Sequence, residues 1–268
     1  MSSGRNDAVT FPPLSLQRLK SIRALKQKKY RRETGTTLIE GVRLCEEALA
    51  AGIDIKVVII TPEALASERV AELARECAAD GLEVFTLSRD RYLSLSDEPS
   101  PVGLAMVVRL PVVQPWRGKE PLLLALDGLQ DPGNLGSALR SAAWFGVDRV
   151  WLSKGCVELS NPKVLRGAMG AAFRLAVEEE VDLMQRFAEA EKKGYCIWAA
   201  VPVNGEPLTS LKPTGKDLLL IGSEAHGVAA ELVQSANRRF TIPKSGYGES
   251  LNAAVAASIA LYHFTLMR

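Results

Sequence analysis

The sequence predicts an α/β protein built from two successive units. Two observations carry that reading. Short apolar runs bounded by turn residues alternate with longer stretches of helical periodicity, the pattern of strands covered by helices. Residues 111–120 (PVVQPWRGKE) interrupt the alternation with two prolines, a glycine and four charged or amide side chains, which marks a linker. A length of 268 residues suits one large domain or two modest ones, since domains commonly run to about 100–150 residues.

In the front unit, residues 1–13 end in Phe11-Pro12-Pro13 and are expected to be irregular. From Leu14 to about Arg32 the pattern is helical, with Leu16, Leu19, Ile22 and Leu25 as a stripe and basic residues around it. Ile39–Ala51 reads as a second helix, stopped by Gly52. A strand at Ile55–Ile60, a helix over Ala66–Asp80, a strand at Glu83–Leu87 and a last strand at Leu104–Leu110 follow.

In the second unit, strands are expected at Leu122–Leu126, Arg149–Leu152, Cys196–Val201, Leu218–Ile221 and Arg239–Ile242. Helices are expected at Asn134–Phe145, Leu183–Lys193, Ala229–Ser235 and Leu251–Leu266. The final helix is nearly all Ala, Leu, Val and Ile, so it belongs in a core or a subunit interface.

Charge is unevenly placed. Residues 1–43 hold ten Lys or Arg against three acids, while the remainder holds 23 against 28. A basic front end on a mildly acidic body fits a polyanion-binding arm, or simply a solvated helix face. Cys45, Cys77, Cys156 and Cys196 are scattered and only two histidines are present, so no metal site is expected. The cysteine spacing fits a reducing compartment. Residues 1–13 lack a signal-peptide core, and no apolar run approaches the roughly 20 residues of a membrane span. A cytoplasmic protein is expected.

Ligands of open α/β sheets bind beyond the carboxyl ends of strands. Three such ends are rich in small and polar residues. The first, Asp131-Pro132-Gly133-Asn134-Leu135-Gly136-Ser137-Ala138-Leu139-Arg140, offers Asn134 as a helix cap and Arg140 about two turns on, near an anion-binding helix start. It matches neither the dinucleotide fingerprint nor the P-loop. The second, Gly222-Ser223-Glu224-Ala225-His226-Gly227, sets a carboxylate among glycines; an acid at a helix start would also account for it. The third runs from Pro243 to Asn252, with Ser250 placed to cap the last helix and Asn252, a poor helix former, just inside.

In this order the three loops resemble the three motifs of the SpoU branch of the SPOUT RNA methyltransferases, from roughly Leu122 to Tyr262. Asn161 to Gly170 resembles the intervening segment, with Ala168 where many members carry serine. Residues 37–110 are similar to the ribosomal-protein-like substrate-binding domain of many such enzymes. Lys29 to Gly35 and Ile39-Glu40-Gly41 are similar to ribosomal-RNA members.

The resemblance implies a basic arm over 1–36, a substrate-binding domain over 37–110 and a methyltransferase domain over 121–268. The last would be a parallel α/β sheet with a deep trefoil knot. It implies S-adenosylmethionine held by Ala199, Val201, Gly222, Ile242, Pro243 and Leu251. It implies a homodimer acting on RNA. Carried over residue by residue, Asn134, Arg140, Glu224, Ser250 and Asn252 stand at the family's functional positions.

A guanidinium keeps its proton in proteins. Arg140 is therefore expected to bind the target phosphate and stabilise a developing alkoxide. Glu224 would orient it or accept a proton. Lys29, Arg31, Arg32, Lys163, Arg166 and Lys244 are candidate RNA contacts, and each could equally be a surface cation. His226 is read as a solvated loop residue, with a catalytic base as the alternative. His263 is read as structural, and Tyr30 and Tyr247 as packing or base-stacking groups.

The resulting expectation is a ribose 2′-O-methyltransferase of ribosomal, 23S-type RNA. The alternatives are a transfer-RNA enzyme, a non-catalytic RNA-binding homologue, and a small-molecule enzyme using a nucleotide. The complete set of motif residues speaks against the homologue. The basic arm and the missing dinucleotide fingerprint speak against the nucleotide enzyme.

Overall fold

A computed structural model describes residues 10–267. The chain divides into two compact units between Pro111 and Val112. The front unit comprises α1 (Leu16–Ala24), α2 (Lys28–Thr34), β1 (Thr36–Glu40), α3 (Val42–Ala50), β2 (Asp54–Ile60), α4 (Glu68–Ala79), β3 (Val84–Thr86), α5 (Arg89–Leu93) and β4 (Leu104–Arg109). Its sheet has the order β1-β4-β2-β3, antiparallel except for the β2/β3 pair. Ile22, Leu25, Leu38, Ile59 and Tyr92 pack together on one side of it.

Three expectations need correction here. The stretch from Leu14 to Arg32 is two helices, broken at residues 25–27. The Arg31 guanidinium folds back into the break and donates to Leu25 O at 2.7 Å and Lys26 O at 2.8 Å. Ile39–Ala51 is not one helix: Thr36, Thr37 and Ile39 are β-branched and pair with β4, and α3 starts only after Gly41. Finally, residues 11–14 are ordered along β3, where Thr86 N donates to Pro12 O and Leu14 N to Thr86 O, both at 2.9 Å. Residues 1–9 of the expected irregular segment lie outside the described residues.

The second unit comprises β5 (Leu122–Asp127), α6 (Pro132–Trp144), β6 (Arg149–Ser153), α7 (Pro162–Ala168), β7 (Ala176–Val181), α8 (Leu183–Lys192), β8 (Cys196–Ala200), β9 (Glu206–Pro207), β10 (Asp217–Gly222), α9 (Ala230–Ser235), β11 (Arg238–Thr241) and α10 (Ala253–Leu266). Its seven strands are parallel, in the order β7-β6-β5-β10-β8-β11-β9. Leu123, Ala125, Leu218, Leu220, Ile197 and Ala199 fill the core. Parallel strands bring their carboxyl ends to one edge. That edge carries Asp127, Gly222, Ala200 and Thr241, which set the site.

Residues 112–120 are docked on this second unit rather than hanging as a tether. Trp116 meets Trp151 edge-on at 4.9 Å and Tyr195 at 5.4 Å. The buried Arg149 guanidinium donates to Gln114 O at 3.0 Å and pairs with Glu120 and Glu178. Burial pushes the Glu120 carboxyl up. Hydrogen bonds from its own backbone and from Arg149 and Lys119, together with the Arg149 charge, outweigh burial and hold it below the usual carboxylate range.

α10 packs against α6 and β10 through Ala254, Ala257, Leu261 and Phe264. Its opposite face leaves Val255, Ile259, Tyr262 and Leu266 exposed at helical spacing. Among the described residues no helix is long and apolar enough to cross a membrane.

Candidate active site

Three strand ends meet around one carboxylate. After β5, Asp131 rather than Asn134 caps α6: its side chain accepts Asn134 N–H at 2.8 Å, and Pro132 opens the helix. Asn134 is thereby freed from capping. Its Nδ2 donates to Glu224 Oε1 at 2.5 Å.

After β10 the chain folds sharply over residues 223–229. Gly227 N donates to Ser223 O at 2.8 Å, and His226 N to Ser223 Oγ at 3.3 Å. Only glycine fits at 222, because a Cβ there would lie 2.0 Å from the carbonyl carbon of Gly227. Glu224 sits at the exposed tip of this fold.

After β11, residues 242–252 lead into α10. Asn252, not Ser250, is the cap: its Oδ1 accepts from Ala254 N at 3.0 Å and Val255 N at 3.2 Å. An amide also donates, and Asn252 Nδ2 reaches Asn134 Oδ1 at 2.7 Å and Glu224 Oε1 at 3.3 Å. A serine hydroxyl has one proton and could not hold both carbonyl and carboxylate while capping. Ala253 N adds a donor to Glu224 Oε1 at 3.0 Å. Glu224 Oε1 thus gathers three donors; among the described residues none reaches Oε2.

Beside this cluster lies a cavity of about 690 Å³, within the size range of small-molecule sites. Its apolar lining includes Val201, Ile221, Val228, Ile242 and Leu251. Its polar rim includes Glu224, His226, Lys244, Tyr247 and Ser250. Gly222 and Pro243 also face it. Ala199 does not: it is fully buried in the core, pairing with Leu220 and Arg239 across the sheet, and the next residue, Ala200, reaches the cavity. Alternate residues of a strand face opposite sides, so the wall had to fall one residue later. Lys244 Nζ is tied to Gly248 O at 2.5 Å, which closes the rim loop on itself.

The remaining candidates are not gathered here. Arg140 is exposed on α6 and outside the cavity, and among the described residues it makes no hydrogen bond or ion pair. Glu224 therefore does not orient it within this chain. Lys163 is exposed and Arg166 half-buried on α7. In the front unit Lys29 and Arg32 are exposed, whereas Arg31 is buried against the Leu25 and Lys26 carbonyls of the break between α1 and α2 and presents no surface cation. His263 contacts Leu211 O at 3.1 Å.

Residues missed by sequence reasoning include Asp131, Ser223, Val228 and Thr241. Only Asp131 had a readable signal, an acid directly before a helix-opening proline. Among the described residues no group of three or more His, Cys, Asp or Glu could hold a metal.

Comparison with known proteins gives a consistent result. The SpoU rRNA Methylase family model matches residues 121–262, and an MRM3-like substrate binding domain matches 17–105. The chain is 32% identical to the 23S rRNA (guanosine(2553)-2′-O)-methyltransferase RlmP of Bacillus subtilis, covering 92% of this chain and 95% of that one. It is similar to the solved structure of a TrmH-family RNA methyltransferase from Porphyromonas gingivalis, with 31% identity, a TM-score of 0.81, and 94% and 98% of the two chains covered. It is also similar to an AdoMet-bound rRNA methyltransferase from Sinorhizobium meliloti, with 25% identity, a TM-score of 0.81, and 94% and 95% covered.

Proposed function

We propose that this chain, which belongs to the SpoU rRNA methylase family, transfers a methyl group from S-adenosylmethionine to a ribose 2′-hydroxyl of 23S-type ribosomal RNA. One observation carries the reading: Asn134, Glu224 and Asn252, from three separate strand ends, form one hydrogen-bonded cluster, and its Glu224 lines the cavity. The relative that supports ribosomal RNA over transfer RNA spans both units.

The residues present fit the donor. The cavity is large enough for a nucleoside with a short tail, its walls are apolar, and the glycine fold at 222–227 leaves main chain close to any occupant. When bound, the donor supplies an electrophilic methyl on a sulfonium. Val201, Gly222, Ile242, Pro243 and Leu251 would hold it, and Ser250 at the rim would face the incoming ribose.

A ribose hydroxyl is a weak nucleophile and must lose its proton as it attacks. Glu224 Oε2, left without a donor while Oε1 is held by three, is placed to take that proton. Asn134 and Asn252 fix the carboxylate. Arg140 is free to bind the target phosphate and steady the negative charge that develops on the sugar oxygen. Lys29, Arg32, Lys163, Arg166 and Lys244 would add phosphate contacts, which position RNA without reading its bases.

Finer features follow as part of the same proposal. The C-terminal chain forms a trefoil knot; the return of α10 onto α6 and β10, past the loops that wall the cavity, supports this. The enzyme is a homodimer, supported by the apolar stripe Val255, Ile259, Tyr262 and Leu266 on α10. The front unit, residues 37–110, is a ribosomal-protein-like RNA-binding domain behind a basic arm, supported by the substrate-binding family match. The protein works in the cytoplasm, supported by its bacterial ribosomal-RNA relative and by four free cysteines.

The test maps 2′-O-methylation across total RNA from cells with and without the active protein. One ribosomal position should lose its methyl group and regain it with the wild-type chain but not with Asn134→Ala. Restoration by Asn134→Ala, or loss in transfer RNA alone, overturns the reading.

A further inference from the structure

The carboxyl end of β5 carries a residue that the chemistry above does not use. Asp127 is the register partner of Gly222, and its two oxygens accept from different elements. Oδ1 accepts from Ser153 Oγ at 2.8 Å, and Oδ2 accepts from Ala229 N at 3.0 Å. Ser153 Oγ in turn accepts from Gly128 N at 3.0 Å. One half-buried carboxylate therefore joins the ends of β5 and β6 to the far end of the loop that follows β10.

That loop forms one wall of the cavity. Every residue from Gly222 to Val228 lines the cavity, and Glu224 is one of them. Its near end is fixed by the packing of Gly222 on Gly227 and by the Ser223–Gly227 bridge. Its far end is tied through Ala229 N to Asp127, a partner 102 residues away in sequence. A Glu or Gln at 232, three residues into the turn, could have accepted from Ala229 N–H without reaching across the sheet, yet that position is a buried leucine.

We propose that Asp127 is a positioning residue for the methyl donor. By holding Ala229 it sets the span of the 223–229 loop, and so the cavity wall and the place of the Glu224 carboxylate. The proposal rests on the donor-site reading given above.

Asp127→Ala removes both ties. Asp127→Asn can keep both, because its Oδ1 can accept from Ala229 N while its Nδ2 donates to Ser153 Oγ, whose proton already reaches Lys154 O at 3.2 Å. Binding of S-adenosylmethionine to the full-length protein is measured by calorimetry, alongside steady-state kinetics and thermal melting. Asp127→Ala should weaken donor binding about 10-fold or more and raise the donor KM in proportion, with the RNA KM unchanged. Asp127→Asn should stay within about 3-fold of wild type.

A purely structural role would lower the active fraction and leave the donor KM of the surviving molecules alone. If Asp127→Ala fails to fold, Ser153→Ala serves in its place: it frees Oδ1 but keeps the Ala229 tie, so donor binding should hold. Weakened donor binding in Ser153→Ala or in Asp127→Asn overturns the role. So does wild-type affinity in Asp127→Ala. A wild-type protein that does not bind the donor overturns the reading of the site instead.

Discussion

Replacing Gly136 by alanine tests how closely α6 must approach α7 for the site to form. In an open helix the change would stabilise by about 1 kcal/mol, since glycine is a poor helix former. Here the added Cβ would meet Val164 O at 2.7 Å, Gly167 Cα at 2.8 Å and Gly167 C at 2.9 Å. All three are main-chain atoms, so none can swing aside. Overpacking of this kind costs about 1–3 kcal/mol, and rigid backbone neighbours place the cost at the upper end. The steric loss wins, for a net destabilisation of about 2 kcal/mol. A domain of about 150–250 residues loses about 2–4 °C of Tm per kcal/mol, which predicts a fall of about 4–8 °C by calorimetry.

The reverse change at the same crossing is the control. A Cβ on Gly167 would have its nearest contact at 3.3 Å, to Gly136 Cα, a tight but far milder approach that the helix gain of about 1 kcal/mol can offset, so Gly167→Ala should be close to neutral. Catalysis should respond as stability does. Gly136 lies two residues beyond Asn134, and small displacements of a catalytic group are expensive in rate. A Gly136→Ala protein that melts at or above wild type, or a Gly167→Ala protein that is the more damaged of the two, would refute this close approach.

Other expectations follow from single residues. Glu224→Gln keeps the shape of the cluster but removes its proton acceptor; kcat should fall about 100- to 10,000-fold in single-turnover assays while donor affinity holds. Arg140→Lys should leave Tm unchanged, because Arg140 has no partner among the described residues, and should lower kcat/KM for RNA about 10-fold or more. The depressed Glu120 carboxyl contributes stability that is present above its unfolded pKa of about 4.3 and lost as pH falls through the lower folded value. Glu120→Gln should therefore flatten the acid limb of the Tm–pH profile. Burial pushes the Cys45 thiol up, and pushes Cys77 up to about 11. Both should resist alkylation at pH 8 until the protein unfolds, as peptide mapping would show.

Much of this architecture is legible from residues alone, for identifiable reasons. Five of the seven strands of the second unit are short, largely apolar runs between turn signals, and each of these lies within about a residue of its expected bounds; the two-residue β9 is too short to leave a pattern. β7 escaped because its sequence is Ala-Val-Glu-Glu-Glu-Val: an edge strand needs no second apolar face, and its Glu178 serves both Arg149 and Arg186 instead. β1 escaped because its apolar residues run into those of α3 without a change of period until Gly41. Charge counting put Arg31 on the surface; it cannot register that a guanidinium folds back onto the carbonyls of the break before its helix. In the site, motif order placed Asn134, Glu224 and Asn252 in one region. Which of them caps a helix and which reaches across the sheet depends on distances that sequence does not carry.

The contact of Gly222 with Gly227 has a consequence for how such an enzyme can diverge. Peptide resting on peptide carries no information about which nucleotide is presented to it. A lineage that keeps those two glycines keeps this stretch of the donor wall, whatever happens to the exposed rim at 244–249 or to the front unit. Selectivity and chemistry are thus written in separate stretches of chain, and a new ribosomal target can be acquired without rebuilding the floor on which the reaction depends.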